Sequence, residues 1–215
     1  KESLKVHEKL FYEKNKMLFI PNGVNTEQFK FSSIFRNEIR SELNMKEKKI
    51  YVGCIGRYDI QKNQLGFLKI ASKIVKSHKN YHFILVGRGN DFKNIELLET
   101  INELNLNQSI TLLGERSDIV KILSAIDIFA LPSKGEAFPV SLCEAMACEL
   151  LCATTNVGDI NLILGGIIKS IEIDKFELLY DLIIELGEMS IHERNKKAAA
   201  MRSRIVKNFS IETVA

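Results

Sequence analysis

Short apolar runs alternate with longer stretches of helical spacing along most of this chain. Ile50–Ile55 (IYVGCI) is rich in β-formers and closes on Gly56, and Leu65, Leu68, Ile70, Ile74 and Val75 follow with helical spacing. Phe83–Val86 (FILV) is a second strand candidate ending on glycine, followed by a helix around Lys93 to Asn105. Ile110–Leu113 and Ile128–Leu131 repeat the theme, with a helix near Asp118 to Ala125 between them. A helix from about Pro139 to Cys148 then leads to a strand at Leu150–Ala153. Before all of these, Met17–Ile20 is a short apolar run stopped by the turn signal Pro21-Asn22-Gly23. Lys1–Asn15 mixes a few apolar residues with many charges, which suits a helix or linker.

Strands that are apolar on both faces and alternate with helices imply a parallel sheet covered on both sides. The expected fold class is therefore α/β, a doubly wound, Rossmann-like sheet. Ligands of such sheets bind beyond the carboxyl ends of the strands, so the loops after Ile55, Val86, Leu113 and Leu131 are where chemistry belongs. From Asp174 onward two helical segments, Phe176–Glu188 and His192–Asn208, have no strand between them. The second is basic and rich in alanine, and it reads as a packing or exposed helix without chemistry.

Composition adds limits. With 215 residues, 46% hydrophobic and 27% charged, the chain fits one large soluble-type domain. A net charge of +3 is too small to argue for a nucleic-acid partner. Cys54, Cys143, Cys148 and Cys152 have no CxxC spacing and sit in apolar segments, so they read as buried reduced thiols, pointing to a reducing compartment. No apolar run reaches the roughly 18 residues of a membrane span, and no signal peptide is visible. A start at Lys1, without methionine, reads as part of a longer protein.

The segment from Leu131 to Ala147 (LPSKGEAFPVSLCEAMA) carries the most chemistry. A strand end, a Pro-Ser-Lys-Gly loop and a proline suited to a first helical turn leave the amides of Phe138, Val140 and Ser141 at a helix N-terminus, where anions bind. Glu136 and Glu144 frame that tip. Eight residues at helical rise place them on the order of 12 Å apart, too far for a carboxylate pair acting on one bond. Each could instead grip a diol through paired hydroxyls. A dipole-complementing Glu136 and a solvent-facing Glu144 fit the spacing as well. Arg57 follows a strand-terminal glycine and Lys62 precedes a helix, so both cations can face the ligand edge, although ordinary surface charge also fits them.

Read together, these segments resemble the group 1 glycosyltransferases (glycosyltransferase family 4). Glu136-x7-Glu144 lies within the family's PS-x-x-E-x-F-P-x-x-x-x-E-A-M-A pattern. Pro21-Asn22-Gly23-Val24-Asn25 is similar to PNGVD, and Gly56-Arg57 followed by Lys62 to GR-x4-K. Leu85-Val86-Gly87-Arg88-Gly89 resembles lvGxG, while Gly114 to Asp118 and Asp127-Ile128-Phe129 resemble its "lG…D…aDif" run. The resemblance spans roughly Pro21 to Ile168.

It implies the carboxyl-terminal half of a two-domain GT-B enzyme, a retaining transferase acting on a nucleotide sugar. Residues 1–15 would end the interdomain connection and 16–215 would form the donor-binding domain, with an amino-terminal acceptor domain lying elsewhere. Arg57 and Lys62 would bind the diphosphate, Glu136 the transferred sugar and Glu144 the ribose. Arg57, Lys62 and Glu136 are thus the implied catalytic set, and the base would lie near Arg88, Glu115 and Arg116. No Asp-x-Asp follows a strand, so cations and helix amides are expected to neutralise the leaving group without a metal. A UDP-sugar is the expected donor, on family frequency. A glycan or lipid-linked glycan is the expected acceptor, held by the other domain. The implied location is cytoplasmic or peripheral at the inner membrane face, any membrane contact belonging to that other domain. This half alone is expected to catalyse little or nothing.

Some positions depart from the family pattern. Glu149 replaces a helix-terminating glycine and has to accept whatever backbone conformation follows the helix, at about a kcal/mol of strain. Leu151 replaces proline, Asn25 an aspartate, and Gly158-Asp159-Ile160-Asn161 stands for GG-x-x-E. Two other functions fit the same pocket: a non-catalytic nucleotide-sugar-binding module, and a GT-B epimerase acting on the sugar nucleotide without an acceptor.

Overall fold

A computed structural model describes residues 20–215. The expectations for Lys1–Asn15 and for Met17–Phe19 lie outside the described residues. Five strands, β1 (Ile50–Ile55), β2 (Tyr81–Val86), β3 (Ile110–Leu112), β4 (Ile128–Leu131) and β5 (Leu151–Thr154), form one sheet in the order β3-β2-β1-β4-β5. Every pairing is parallel. The chain winds outward from β1 to β3, then crosses back to place β4 on the other side of β1. That reversal opens a crevice between the carboxyl ends of β1 and β4, the place where doubly wound sheets bind ligands. The expected fold class is the observed one.

The connecting helices are α2 (Gln64–Ser77), α3 (Ile95–Glu103), α4 (Ile119–Ala125) and α5 (Val140–Ala147). Nearly every strand residue is buried, as a sheet covered on both faces requires. Strand and helix limits differ from the sequence expectation by a residue or two at several ends, where the hydrophobic pattern carries no boundary signal. The helix begins at Val140, and Glu136 lies in the preceding loop as expected, so helical rise does not measure its distance to Glu144.

A helix the hydrophobic pattern missed, α1 (Ser33–Glu42), packs against α4. Only Ile39 of it is fully buried, so its periodicity is faint. Polar contacts hold it instead. Ser32 Oγ caps it by accepting from the Phe35 amide. Arg36 and Arg40 reach the Asp127 carboxylate at 2.6 and 2.9 Å, and the Tyr51 amide donates to the same group at 2.9 Å. Arg36 also donates to the Ser124, Ala125 and Ile126 carbonyls at the end of α4.

After β5 come α6 (Ile160–Leu164), a 3-10 turn (Ile173–Leu178), α7 (Leu179–Glu188), α8 (Ile191–Phe209) and α9 (Ile211–Val214). The basic character of α8 serves packing. Arg202 donates to the Thr26, Phe29 and Ala147 carbonyls, and Arg204 to those of Leu162 and Ile163. Cations thereby meet the negative ends of α5 and α6.

The end of α5 is a Schellman turn. Leu150 N–H donates to the Ala145 carbonyl and Glu149 N–H to that of Met146. Glu149 sits at φ +63°, the left-handed conformation that glycine adopts freely. Asn44 and Asn105 occupy the same conformation after α1 and α3, where asparagine tolerates it better. Glu149→Gly is therefore expected to stabilise the fold by about 1 kcal/mol, read as a higher urea midpoint at unchanged slope. A loss of stability would show that the glutamate is held by something other than this turn.

Candidate functional site

A cleft of about 660 Å³ lies in the crevice between the exits of β1 and β4. From the first exit it is lined by Gly56, Arg57, Asp59, Gln61 and Lys62, and from the second by residues 135–141. Lys134 N–H donates to the Gln61 carbonyl at 2.7 Å, joining the two loops across it.

Lys62 and Glu136 meet at its floor. Lys62 Nζ donates to Glu136 Oε1 at 2.7 Å, and the Ser133 hydroxyl donates to the same oxygen at 2.7 Å. Glu136 is 8% exposed and Lys62 23%, so this ion pair is largely withdrawn from water. The other carboxylate oxygen carries no bond to any described residue. Ser133 is held in turn by Thr155, whose hydroxyl donates to the Ser133 carbonyl at 2.6 Å. Gly158 backs this loop at φ +58°, with its Cα packed on the Glu136 carbonyl so closely that a Cβ would overlap it. Only glycine fits there.

Arg57 stands at the open rim, 62% exposed, paired with Asp59 at 3.1 Å. The Gln61 amide and then Arg57 hold the Asp59 carboxyl below its usual range. Across the cleft, the amides of Phe138, Val140 and Ser141 donate to no described residue and crown α5, whose dipole puts partial positive charge there. The Phe138 ring is turned away onto Phe209, at 5.7 Å between centroids.

Glu144 follows Val140 and Ser141 by four and three residues, on the same helix face. It is half-buried, its carboxylate makes no hydrogen bond or ion pair with any described residue, and burial pushes that carboxyl above the usual range. An ionisable group left unpaired and desolvated beside a cleft is a functional candidate on physical grounds.

The residues expected around a base lie apart. Arg88 and Glu115 are exposed and neither lines this cleft. The Arg116 guanidinium is committed to Asp118 at 2.7 Å and Glu42 at 2.8 Å, tying the loop after β3 to α1. With its donors engaged, Arg116 serves the scaffold in this arrangement. The cysteines are buried free thiols, as expected. Burial pushes the Cys54 thiol up to about 12, so it supplies no thiolate beneath the Lys62–Glu136 pair.

The profile described as "Glycosyl transferases group 1" matches residues 35–165, a span that contains every residue of this cleft. The chain belongs to that family. An Escherichia coli relative, the UDP-Gal:alpha-D-GlcNAc-diphosphoundecaprenol alpha-1,3-galactosyltransferase, is 30% identical over 94% of this chain and 52% of its own length. A Campylobacter jejuni relative, the N,N'-diacetylbacillosaminyl-diphospho-undecaprenol alpha-1,3-N-acetylgalactosaminyltransferase, is 36% identical over 63% of this chain and 35% of its own. The chain spans about half the length of the first of these. Among solved structures, a Rickettsia africae glycosyltransferase superposes with TM-score 0.88 at 21% identity, covering 99% of this chain and 59% of that one. The C-terminal domain of a Francisella tularensis group 1 glycosyl transferase is covered completely, with TM-score 0.73 at 22% identity over 88% of this chain. These likenesses place the fold among GT-B structures.

Sequence reasoning passed over Asp59 and Gln61, which line the cleft, and the buried Ser133, which holds Glu136 from behind it. Ser133 alone had a signal, its place in the quoted pattern. The other two act through local turns that no periodicity reveals.

Proposed function

We propose that this chain is the donor-binding domain of a retaining glycosyltransferase. Its cleft takes a nucleoside diphosphate sugar, and the sugar passes to a glycan or lipid-linked acceptor held by a second domain. The observation that carries the reading is the convergence of Lys62, Arg57 and three free amides at the crevice between β1 and β4, with the unpaired Glu144 one turn along the same helix. Cations and a helix tip in one cleft suit a diphosphate. A carboxylate without a partner beyond it suits a ribose diol.

In this reading the bond between the sugar's anomeric carbon and the diphosphate oxygen breaks. Lys62, Arg57 and the Val140 and Ser141 amides stabilise the charge that gathers on the departing diphosphate, with no metal called for. The acceptor oxygen bonds to that carbon on the same face and its proton goes to the diphosphate, which is why configuration is retained. Glu136 has one oxygen fixed by Lys62 and Ser133, and its free oxygen takes a sugar hydroxyl. Support for a uridine donor comes from relatives: the Escherichia coli enzyme is named for UDP-Gal, and an Anabaena protein of similar fold (TM-score 0.85, 20% identity, 99% of this chain and 58% of that one) was solved with UDP and glucose. The diphosphoundecaprenol-linked acceptors in the names of the Escherichia coli and Campylobacter jejuni relatives support work at a membrane face. Among the described residues no helix is long and apolar enough to cross a membrane.

A thermal-shift panel of nucleoside mono- and diphosphates and their sugars tests the donor assignment. A binder at a hundred times its dissociation constant stabilises the fold by about 2.7 kcal/mol, and absence of any such shift for diphosphates overturns the reading. The anomeric configuration of the product, read by NMR with the whole enzyme, tests retention.

Glu144 gives a sharper prediction. A carboxyl raised by burial costs the empty fold nothing at acid pH, and its own contribution turns destabilising as pH rises from the unfolded value through the folded one. Glu144→Gln is therefore expected to raise thermal stability of the empty protein at neutral pH. The same change should weaken UDP by about tenfold or more, the scale of a charged hydrogen bond. UDP affinity of the unaltered chain should also fall as pH drops through the raised value, a dependence the glutamine variant lacks. Unchanged UDP binding by that variant would remove Glu144 from the site.

A further inference from the structure

Arg57 is rooted in a loop whose backbone is gripped on both sides by buried amides. The Gly56 carbonyl accepts from Asn90 Nδ2 at 2.7 Å, and the Arg57 carbonyl accepts from Gln64 Nε2 at 2.7 Å. Asn90 is 0% exposed and Gln64 1%, and neither lines the cleft.

Asn90 does more than meet one carbonyl. Its Nδ2 also reaches the Val86 carbonyl at 3.2 Å, its own N–H donates to the Gly87 carbonyl at 3.0 Å, and its carbonyl accepts from Gly114 N–H at 2.9 Å. One residue thus ties together the exits of β1, β2 and β3. Its Oδ1 is buried without a partner. Turning the amide over would set that oxygen against two carbonyls, so the orientation is fixed. A buried acceptor left unpaired is costly, and an apolar side chain could occupy the space without that penalty. Packing alone does not account for an amide here; control of the Gly56 carbonyl does.

Gln64 completes the grip from the first residue of α2. Its Oε1 accepts from the Asp59 amide at 3.3 Å while its Nε2 holds Arg57, so a single side chain brackets residues 57–59. The guanidinium, by contrast, is mostly in solvent and pairs only with Asp59 among the described residues. Its reach across the cleft is set at the backbone.

The geometry points to Asn90 and Gln64 as paired positioning residues, a buried amide clamp that fixes the root of Arg57 for contact with the diphosphate. This rests on the reading of the cleft as a diphosphate site. A long cation held at its root needs less ordering when the ligand arrives, so affinity depends on the clamp without the clamp touching the ligand.

Isothermal titration of UDP into the chain tests this, with Asn90→Ser and Gln64→Met each made alone and together with Arg57→Ala. Each clamp variant is expected to weaken UDP by about tenfold when Arg57 is present, the scale of a small misplacement. In the Arg57→Ala background the further loss should be less than about twofold, because the clamp then has nothing to aim. Melting temperatures should fall equally in both backgrounds. Unchanged affinity, or the same loss with and without Arg57, would reduce both amides to scaffold and overturn the clamp. If Asn90→Ser does not fold, Gln64→Met, close in shape, decides the matter by itself. An unaltered chain that binds no UDP sinks the diphosphate reading and the clamp with it; binding that ignores the clamp variants sinks the clamp alone.

Discussion

Lys62→Ala is expected to weaken nucleoside diphosphate binding by about 10- to 150-fold, the 1.5 to 3 kcal/mol of a charged hydrogen bond. The cation stands on the floor of the cleft, 2.7 Å from Glu136 and facing the free amides at the tip of α5. Its removal also strands Glu136, a nearly buried carboxylate left with only the Ser133 hydroxyl as donor. An uncompensated negative charge would then face the diphosphate, so repulsion adds to the lost attraction. Arg57→Ala should fall at the lower end of the same range, because its guanidinium is exposed and screened by water. Titration of UDP and of uridine into each variant checks both. The loss should appear with the diphosphate and not with the nucleoside. Wild-type UDP affinity in both variants would refute the placement of the diphosphate.

Asp127→Ala is the largest effect expected on stability, about 3 to 5 kcal/mol. Its carboxylate is the shared acceptor for Arg36, Arg40 and the Tyr51 amide, and it fastens α1 to the strand edge. Alanine leaves two half-buried guanidinium groups without their anion. Urea denaturation reads the loss, and UDP affinity of the folded protein should be unchanged because Asp127 is remote from the lining of the cleft. A loss below about 1 kcal/mol would mean that the arginines are held well enough by the α4 carbonyls they already reach.

These predictions draw on features of very different visibility in the sequence. Arg57, Lys62, Glu136 and Glu144 stood out as candidates before any coordinates, through their places at strand exits and a helix start together with the family resemblance, and the fold brings the first three to one cleft. Asp127 was visible only as part of a motif. Its task depends on α1, a helix held by arginines and a serine cap whose apolar stripe is too thin to see. Arg116 differs in another way. The family resemblance implies ligand contact for it, while its pairing with Glu42 on α1 joins remote segments and leaves no trace in a local pattern.

Glu149 is a case where the sequence spoke about backbone geometry. Many helices end on a left-handed residue, and a glutamate where the family pattern has glycine is the place to expect strain; the φ of +63° displays it. The Glu136 carboxylate is the counter-case. Its place in the loop before the helix is legible, but only the coordinates show that Lys62 and Ser133 share one of its oxygens.

By itself the sequence determined the alternation of strands and helices, hence the parallel sheet and the edge on which a ligand must bind, because periodicity and turn residues act over a few neighbours. The tertiary structure alone decided which charges are free and which are spent. Lys62 on Glu136, Arg116 on Glu42, Asp127 between two arginines and the Asn90 amide behind Arg57 are all settled by chain crossings between remote segments. A charge acquires its role from the partner it meets, and in a sheet whose strand order is not its chain order those partners are fixed only when the fold closes.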